Sequence, residues 1–169
     1  FELPELTVNN KGPAKKVLGT SAPDAIGIHP SVATKLSGAD FDGDTVYVLP
    51  NNNRKIKTGN SLDDLKDFSP NKYAVDHETI SPKNKQTQMG IVSNLITDMT
   101  IKGATEQELA RAVRHSMVVI DSEKHKLDWK QSAKDNGIAA LQKRYQTYIS
   151  PLDGKVHVGA STLVSKSKN

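Results

Sequence analysis

The chain has 169 residues, enough for one domain with an appendage and a core that needs no cross-links. It contains no cysteine, which excludes a disulfide framework and any thiolate metal site, and no apolar run approaches the roughly 20 residues that cross a bilayer. The net charge of +4 permits a polyanionic partner without requiring one, and a soluble, cytoplasmic protein with no membrane contact is expected. The opening on Phe1 without a signal pattern, and the polar SKSKN end, suggest a piece of a longer protein.

Taken in chain order, residues 1–50 carry Pro, Gly and short β-branched runs: LTV at 6–8, KVL at 16–18, AIGI at 25–28, SVATKL at 31–36 and TVYVLP at 45–50. These read as short strands joined by turns. The best is TVYVL, with Val46 and Val48 on one face, Tyr47 and Leu49 on the other, and Pro50 as its end. NNNRKIKTGN at 51–60 reads as an exposed basic loop.

Beyond it the period becomes helical. SLDDL at 61–65 suits a short capped helix, and Ser81-Pro82 is a helix start. Met89, Val92, Leu95, Ile96 and Met99 then recur at helical spacing up to Lys102-Gly103. Thr105 and Glu108 form a capping box for a second helix, with Leu109, Ala112, Val113, Ser116, Met117 and Ile120 on one side. A third helix is expected over 131–149, stopped by Ser150-Pro151. The pattern predicts an α+β fold: β strands over 1–55, a helical region over 56–150, and a C-terminal extension over 151–169.

The chemistry concentrates in GADFDGDTV, residues 38–46, where Asp40, Asp42 and Asp44 occupy alternate positions around Gly43. An acidic hairpin tip would look similar, because Asp-Gly tolerates positive φ. A calcium loop of the EF-hand type fails, since its sixth and twelfth positions from Asp40 are Thr45 and Asn51 rather than Gly and Glu. A Mg²⁺ site remains. Carboxylates suit that hard ion at about 2.0–2.1 Å, Gly43 allows the turn that brings Asp44 beside its neighbours, and Phe41 would anchor the loop inward. Two ions about 3.5–4 Å apart are the arrangement that serves phosphoryl transfer.

The segment IGIHPSVATKLSGADFDGDTVYVLP, residues 26–50, resembles the active-site segment of the largest catalytic subunit of multisubunit RNA polymerases, β′ in bacteria. The matching residues are His29, Pro30, Val32, Ala39, Asp40, Phe41, Asp42, Gly43, Asp44, Val48 and Pro50, while Gly38 replaces an asparagine. Ser37-Gly38 is closer to the RNA-dependent RNA polymerases of RNA silencing. MGIVSNLITDMT (89–100) and ARAVRHSMVVIDSEKHKLD (110–128), with Val119, Ile120, Asp121 and Lys124, are similar to a helical segment of those enzymes. Single-chain relatives from phages and mobile elements share the loop, and the resemblance favours that group.

The resemblance implies a double-psi β-barrel built from the N-terminal strands. It implies that Asp40, Asp42 and Asp44 are the catalytic Mg²⁺ ligands of a nucleotidyltransferase. The implied partners are a nucleic-acid template, an RNA product, ribonucleoside triphosphates, and a second β-barrel elsewhere in the same full-length chain or on another subunit. His29 and Pro30 would shape the loop's surroundings. Apart from the resemblance, Lys124 and Lys126, near Asp121 and Asp128, are candidates to reach substrate phosphates, or else solvated charges after a helix end. Arg111 and Arg114, three apart on the second helix, are candidates for a nucleic-acid backbone or else for a wet face. The competing expectation is a nucleic-acid-binding or assembly domain that has lost catalysis.

Overall fold

The computed structural model describes residues 3–19, 21, 24–33, 36, 45–57, 59, 62–150 and 153–160. The chain divides into two units at Lys66/Asp67.

The first unit holds two short helices among its described residues, α1 over Gly12–Leu18 and α2 over Pro30–Ala33. Pro13 lies in the first turn of α1, where its missing N–H costs nothing, and Lys15 and Lys16 sit in its last turn. Gly19 stops it at φ 70°, donating its N–H to the Lys15 carbonyl at 2.9 Å. In α2, Pro30 occupies the first helical position and the His29 side chain caps it: Nδ1 accepts from the Ser31 N–H at 3.2 Å. A 3-10 turn over Asp63–Leu65 follows later, with Leu62 and Leu65 buried.

These findings overturn the expected double-psi β-barrel. The described residues are mostly helical and their only sheet is a two-stranded antiparallel ribbon in the second unit. The physical reason is specific to each run. KVL follows Gly-Pro-Ala-Lys and completes α1, and Ser31-Val32-Ala33 follows a proline already set at helical φ. TVYVLP forms no strand and has no strand partner among the described residues. Val46, Tyr47, Val48 and Leu49 are all exposed, with Tyr47 at 94%. Strand propensity expresses itself only where a neighbouring strand and a packed face receive it.

The second unit is built on a helical hairpin, α3 (Pro82–Ile101) and α4 (Glu106–His125). The Ser81 hydroxyl accepts from the Asn84 N–H at 3.4 Å, as an N-cap should. The capping box at α4 is complete: Thr105 Oγ1 accepts from the Glu108 N–H, and the Glu108 carboxylate accepts from the Thr105 N–H at 3.1 Å. Four residues, Lys102 to Thr105, join the helices, which therefore lie side by side and antiparallel. Helix α3 packs against α4, burying Val92, Leu95 and Met99 of α3 and Leu109, Ala112, Val113 and Val119 of α4, while Val118 packs with Tyr73 and Leu127. Ile120, expected on the buried side of α4, is 54% exposed, and the buried stripe runs instead through Val118, Val119 and Ser122.

The expected third helix over 131–149 is three elements. Helix α5 spans Trp129–Asp135, α6 spans Ile138–Gln146, and strand β1 spans Thr147–Ile149. Asn136-Gly137 breaks the helix, with Gly137 at φ 63° as the N-cap of α6. Strand β2 (Val156–Val158) pairs with β1 in the register Thr147–Val158, Tyr148–His157 and Ile149–Val156. Leu127, Ile138, Leu141 and Tyr145 complete the core.

Candidate functional site

Asp40, Asp42 and Asp44, with Phe41 and Gly43, lie outside the described residues, and the metal-site expectation rests on their sequence alone. The donor set fits Mg²⁺: three carboxylates, with no thiol anywhere in the chain to compete for the preference. On one side of the turn, His29 and Pro30 are described and exposed. His29 Nδ1 accepts from the Ser31 N–H and lies 2.8 Å from the Ser31 hydroxyl, so the neutral ring carries its proton on Nε2. That gives His29 a local task, fixing the turn into α2. On the other side, residues 45–50 form no regular element and lead to the basic loop.

The four cations expected to touch substrate or nucleic acid all lie in the second unit. Lys124 is exposed in the last turn of α4. Lys126 ends that helix in the left-handed conformation at φ 51°, and its carbonyl accepts from the Val75 N–H at 3.0 Å, leaving the ammonium exposed. Arg111 and Arg114, by contrast, are half-buried. The Arg111 guanidinium stands 3.6 Å from the point where a Cβ on Gly137 would sit. Arg114 Nε is buried without a hydrogen-bond partner among the described residues. These arginines face protein, and Lys124 and Lys126 are the better placed pair for a solvent-side ligand.

Sequence patterning does not announce three polar assemblies of the second unit. At the start of α4, Glu108 accepts from Tyr145 Oη at 2.6 Å and from Arg144 Nη1 at 2.6 Å, besides its cap contacts. The Tyr145 hydroxyl, then the Thr105 backbone, hold the Glu108 carboxyl below its usual range, and the same carboxylate pushes the phenol up. Between α3 and α6, buried Asp98 accepts from Gln146 Nε2 at 2.8 Å. Between α4 and α5, His115 Nδ1 lies 3.1 Å from Ser132 Oγ, and Asn136 Nδ2 donates to the Ser132 carbonyl at 2.9 Å. Burial lowers the His115 pKa to about 4. Each network ties one helix to another, and only the capping half of Glu108's role is written in local sequence.

A cavity of about 220 Å³ lies at the start of α3, lined by Glu78, Thr79, Ile80, Ser81, Pro82 and Glu123. Lys85 pairs with Glu123 at 2.5 Å across from it. Several of its polar groups hold the chain: Thr79 Oγ1 donates to the Leu127 carbonyl at 2.7 Å, and Trp129 Nε1 donates to the Thr79 carbonyl at 3.2 Å. Among the described residues no three His, Asp or Glu side chains come together as a metal site.

No family model, curated protein or solved structure matches the chain. Among the described residues no helix is long and apolar enough to cross a membrane.

Proposed function

We propose that this chain carries the metal-binding aspartate turn of a nucleic-acid-templated RNA polymerase of the β′-like and silencing-polymerase group. The observation that carries the reading is Asp40-Phe41-Asp42-Gly43-Asp44 in its setting, with His29-Pro30 before it and the TVYVLP segment ending at Pro50 after it. Three carboxylates within five residues repel one another unless a cation sits among them. In water, two unit charges 4 Å apart cost about 1 kcal/mol, and more where solvent is excluded.

In this reading Asp40, Asp42 and Asp44 hold Mg²⁺, which when bound supplies charge neutralisation at the reacting phosphate and at the leaving pyrophosphate. The carboxylates fix where that charge is delivered. The RNA 3′ hydroxyl attacks the α-phosphorus of a ribonucleoside triphosphate. The new O–P bond forms as the bond to pyrophosphate breaks, and the hydroxyl proton passes to solvent. Basic residues on another domain or chain would complete the site. Template type, DNA or RNA, is left open by the turn itself.

The test is Asp42→Ala in the protein purified from its native setting. Mg²⁺-dependent nucleotide incorporation should vanish while the circular dichroism spectrum is kept. Retained incorporation would overturn the assignment and favour a nucleic-acid-binding or assembly role.

A further inference from the structure

The segment after the aspartate turn combines features that nothing in the metal reading requires. Between Thr45 and Leu62 there is no Asp or Glu, while Arg54, Lys55 and Lys57 supply three positive charges within four positions. All three side chains are exposed, and none makes an ion pair among the described residues.

The loop bearing them is held in shape. The Arg54 N–H donates to the Asn51 carbonyl at 3.0 Å, closing a tight turn. The Asn51 side chain then grips both backbone groups of Ile56: Nδ2 donates to the Ile56 carbonyl and Oδ1 accepts from the Ile56 N–H, each at 3.0 Å. Arg54 sits in the left-handed region at φ 50°, which costs a non-glycine residue free energy that a glycine would not incur. A solvated charge run has no need of a side-chain clamp or of an arginine where glycine fits better. Leading into the loop, Tyr47 is 94% exposed. Cations on a braced loop a few residues after an exposed aromatic ring are the combination that binds single strands, by phosphate pairing and base stacking.

We propose that residues 47–57 form a single-strand contact, with Arg54, Lys55 and Lys57 pairing backbone phosphates and Tyr47 stacking on a base. Asn51 is its positioning residue, holding the cations in register without touching the strand. The inference deepens the polymerase reading and rests on it for the choice of a nucleic acid over other polyanions. It does not depend on metal or catalysis.

The experiment measures fluorescence anisotropy of a labelled single-stranded RNA 20-mer with the whole chain, in EDTA, so that a failed polymerase reading leaves the result interpretable. The triple variant Arg54→Gln, Lys55→Gln, Lys57→Gln should bind about tenfold more weakly at moderate salt. Its log K against log salt slope should be shallower by about 2, since each neutralised phosphate on a single strand contributes about 0.7. Lys11→Gln, Lys15→Gln, Lys16→Gln, which removes the same charge from α1 and its N-cap, should change binding far less. Tyr47→Ala should weaken binding severalfold and Tyr47→Phe should not. Arg54→Gly should raise the urea midpoint while lowering RNA affinity, two movements that a purely structural arginine would not separate.

Undiminished binding by the triple variant, or an equal loss in the α1 variant, overturns the proposal. So does displacement of the RNA by ATP at equal concentration, which would put a free triphosphate in place of the strand.

Discussion

His115 shows how one buried side chain sets a pH dependence. Its ring is 3% exposed, bonded at Nδ1 to Ser132, and burial brings its pKa down to about 4 from the ordinary 6.5. Below pH 6.5 the unfolded chain takes up a proton that the folded chain refuses until about pH 4. Stability is therefore fully present above about 6.5 and is lost progressively as the pH falls toward 4. At 1.36 kcal/mol per pKa unit the loss is of order 3 kcal/mol. Urea midpoints measured across that range should fall in the parent. In His115→Gln they should start lower and stay nearly flat through the same window. A further decline below the ordinary carboxylate range belongs to Glu108, whose lowered pKa places its contribution above that range and loses it as acid protonates the carboxyl. The sequence shows His115 as one histidine on a helix, with no spacing that makes it a metal ligand. Its bond to Ser132 spans 17 positions and exists only once α4 and α5 pack.

Two glycines carry the same lesson at the scale of elements, with opposite signs. Gly90 lies inside α3, exposed, and a Cβ added there would meet nothing within 4 Å. Gly90→Ala should therefore stabilise by about 0.5–1 kcal/mol, because alanine loses less backbone entropy on entering a helix. Gly137 stands at φ 63° between α5 and α6, beside Arg111. Gly137→Ala should destabilise by about 1 kcal/mol, since the left-handed conformation now carries a Cβ. Thr105→Ala, which removes the hydroxyl half of the box at α4, should cost about 1 kcal/mol. Thermal melts of the three variants decide all three signs. The ends of α3 and α4 are legible in the sequence because caps are local chemistry: Ser81-Pro82, Lys102-Gly103 and Thr105 to Glu108 each announce themselves within a few residues. The break at Asn136-Gly137 carries a signal too, since Asn-Gly is a turn pair, but the apolar period continues across it through Ile138 and Leu141. The barrel strands failed for the converse reason. Their β-branched residues state a preference for extended backbone, and the partner that would realise it is not local.

At the scale of the whole molecule, the two units differ in how much core their described residues form. The second has Leu95 and Met99 fully buried, and Leu95→Ala should cost it about 2–5 kcal/mol in urea unfolding. In the first, the described apolar residues are largely exposed: Leu6, Val8, Val17, Ile26, Val46, Val48 and Leu49 among them. By sequence position the candidate chemistry belongs to the first unit, and the reading bears on what the chain can do by itself. Phosphoryl transfer is won by positioning and by charges held fixed at the reacting centre, and the polymerase reading calls for basic residues from another domain or chain to complete that centre. Binding a metal asks less, because three carboxylates on one turn are neighbours by sequence alone. The chain should therefore bind Mn²⁺, used as a paramagnetic stand-in for Mg²⁺, without polymerising. Electron paramagnetic resonance titration should show ions taken up by the parent and a marked loss of that uptake in Asp42→Asn. The same parent protein, given primed template, ribonucleoside triphosphates and Mg²⁺, should incorporate no nucleotide. Uptake unchanged by Asp42→Asn would remove the metal site. Incorporation by the chain alone would show that its own residues suffice to complete the active site.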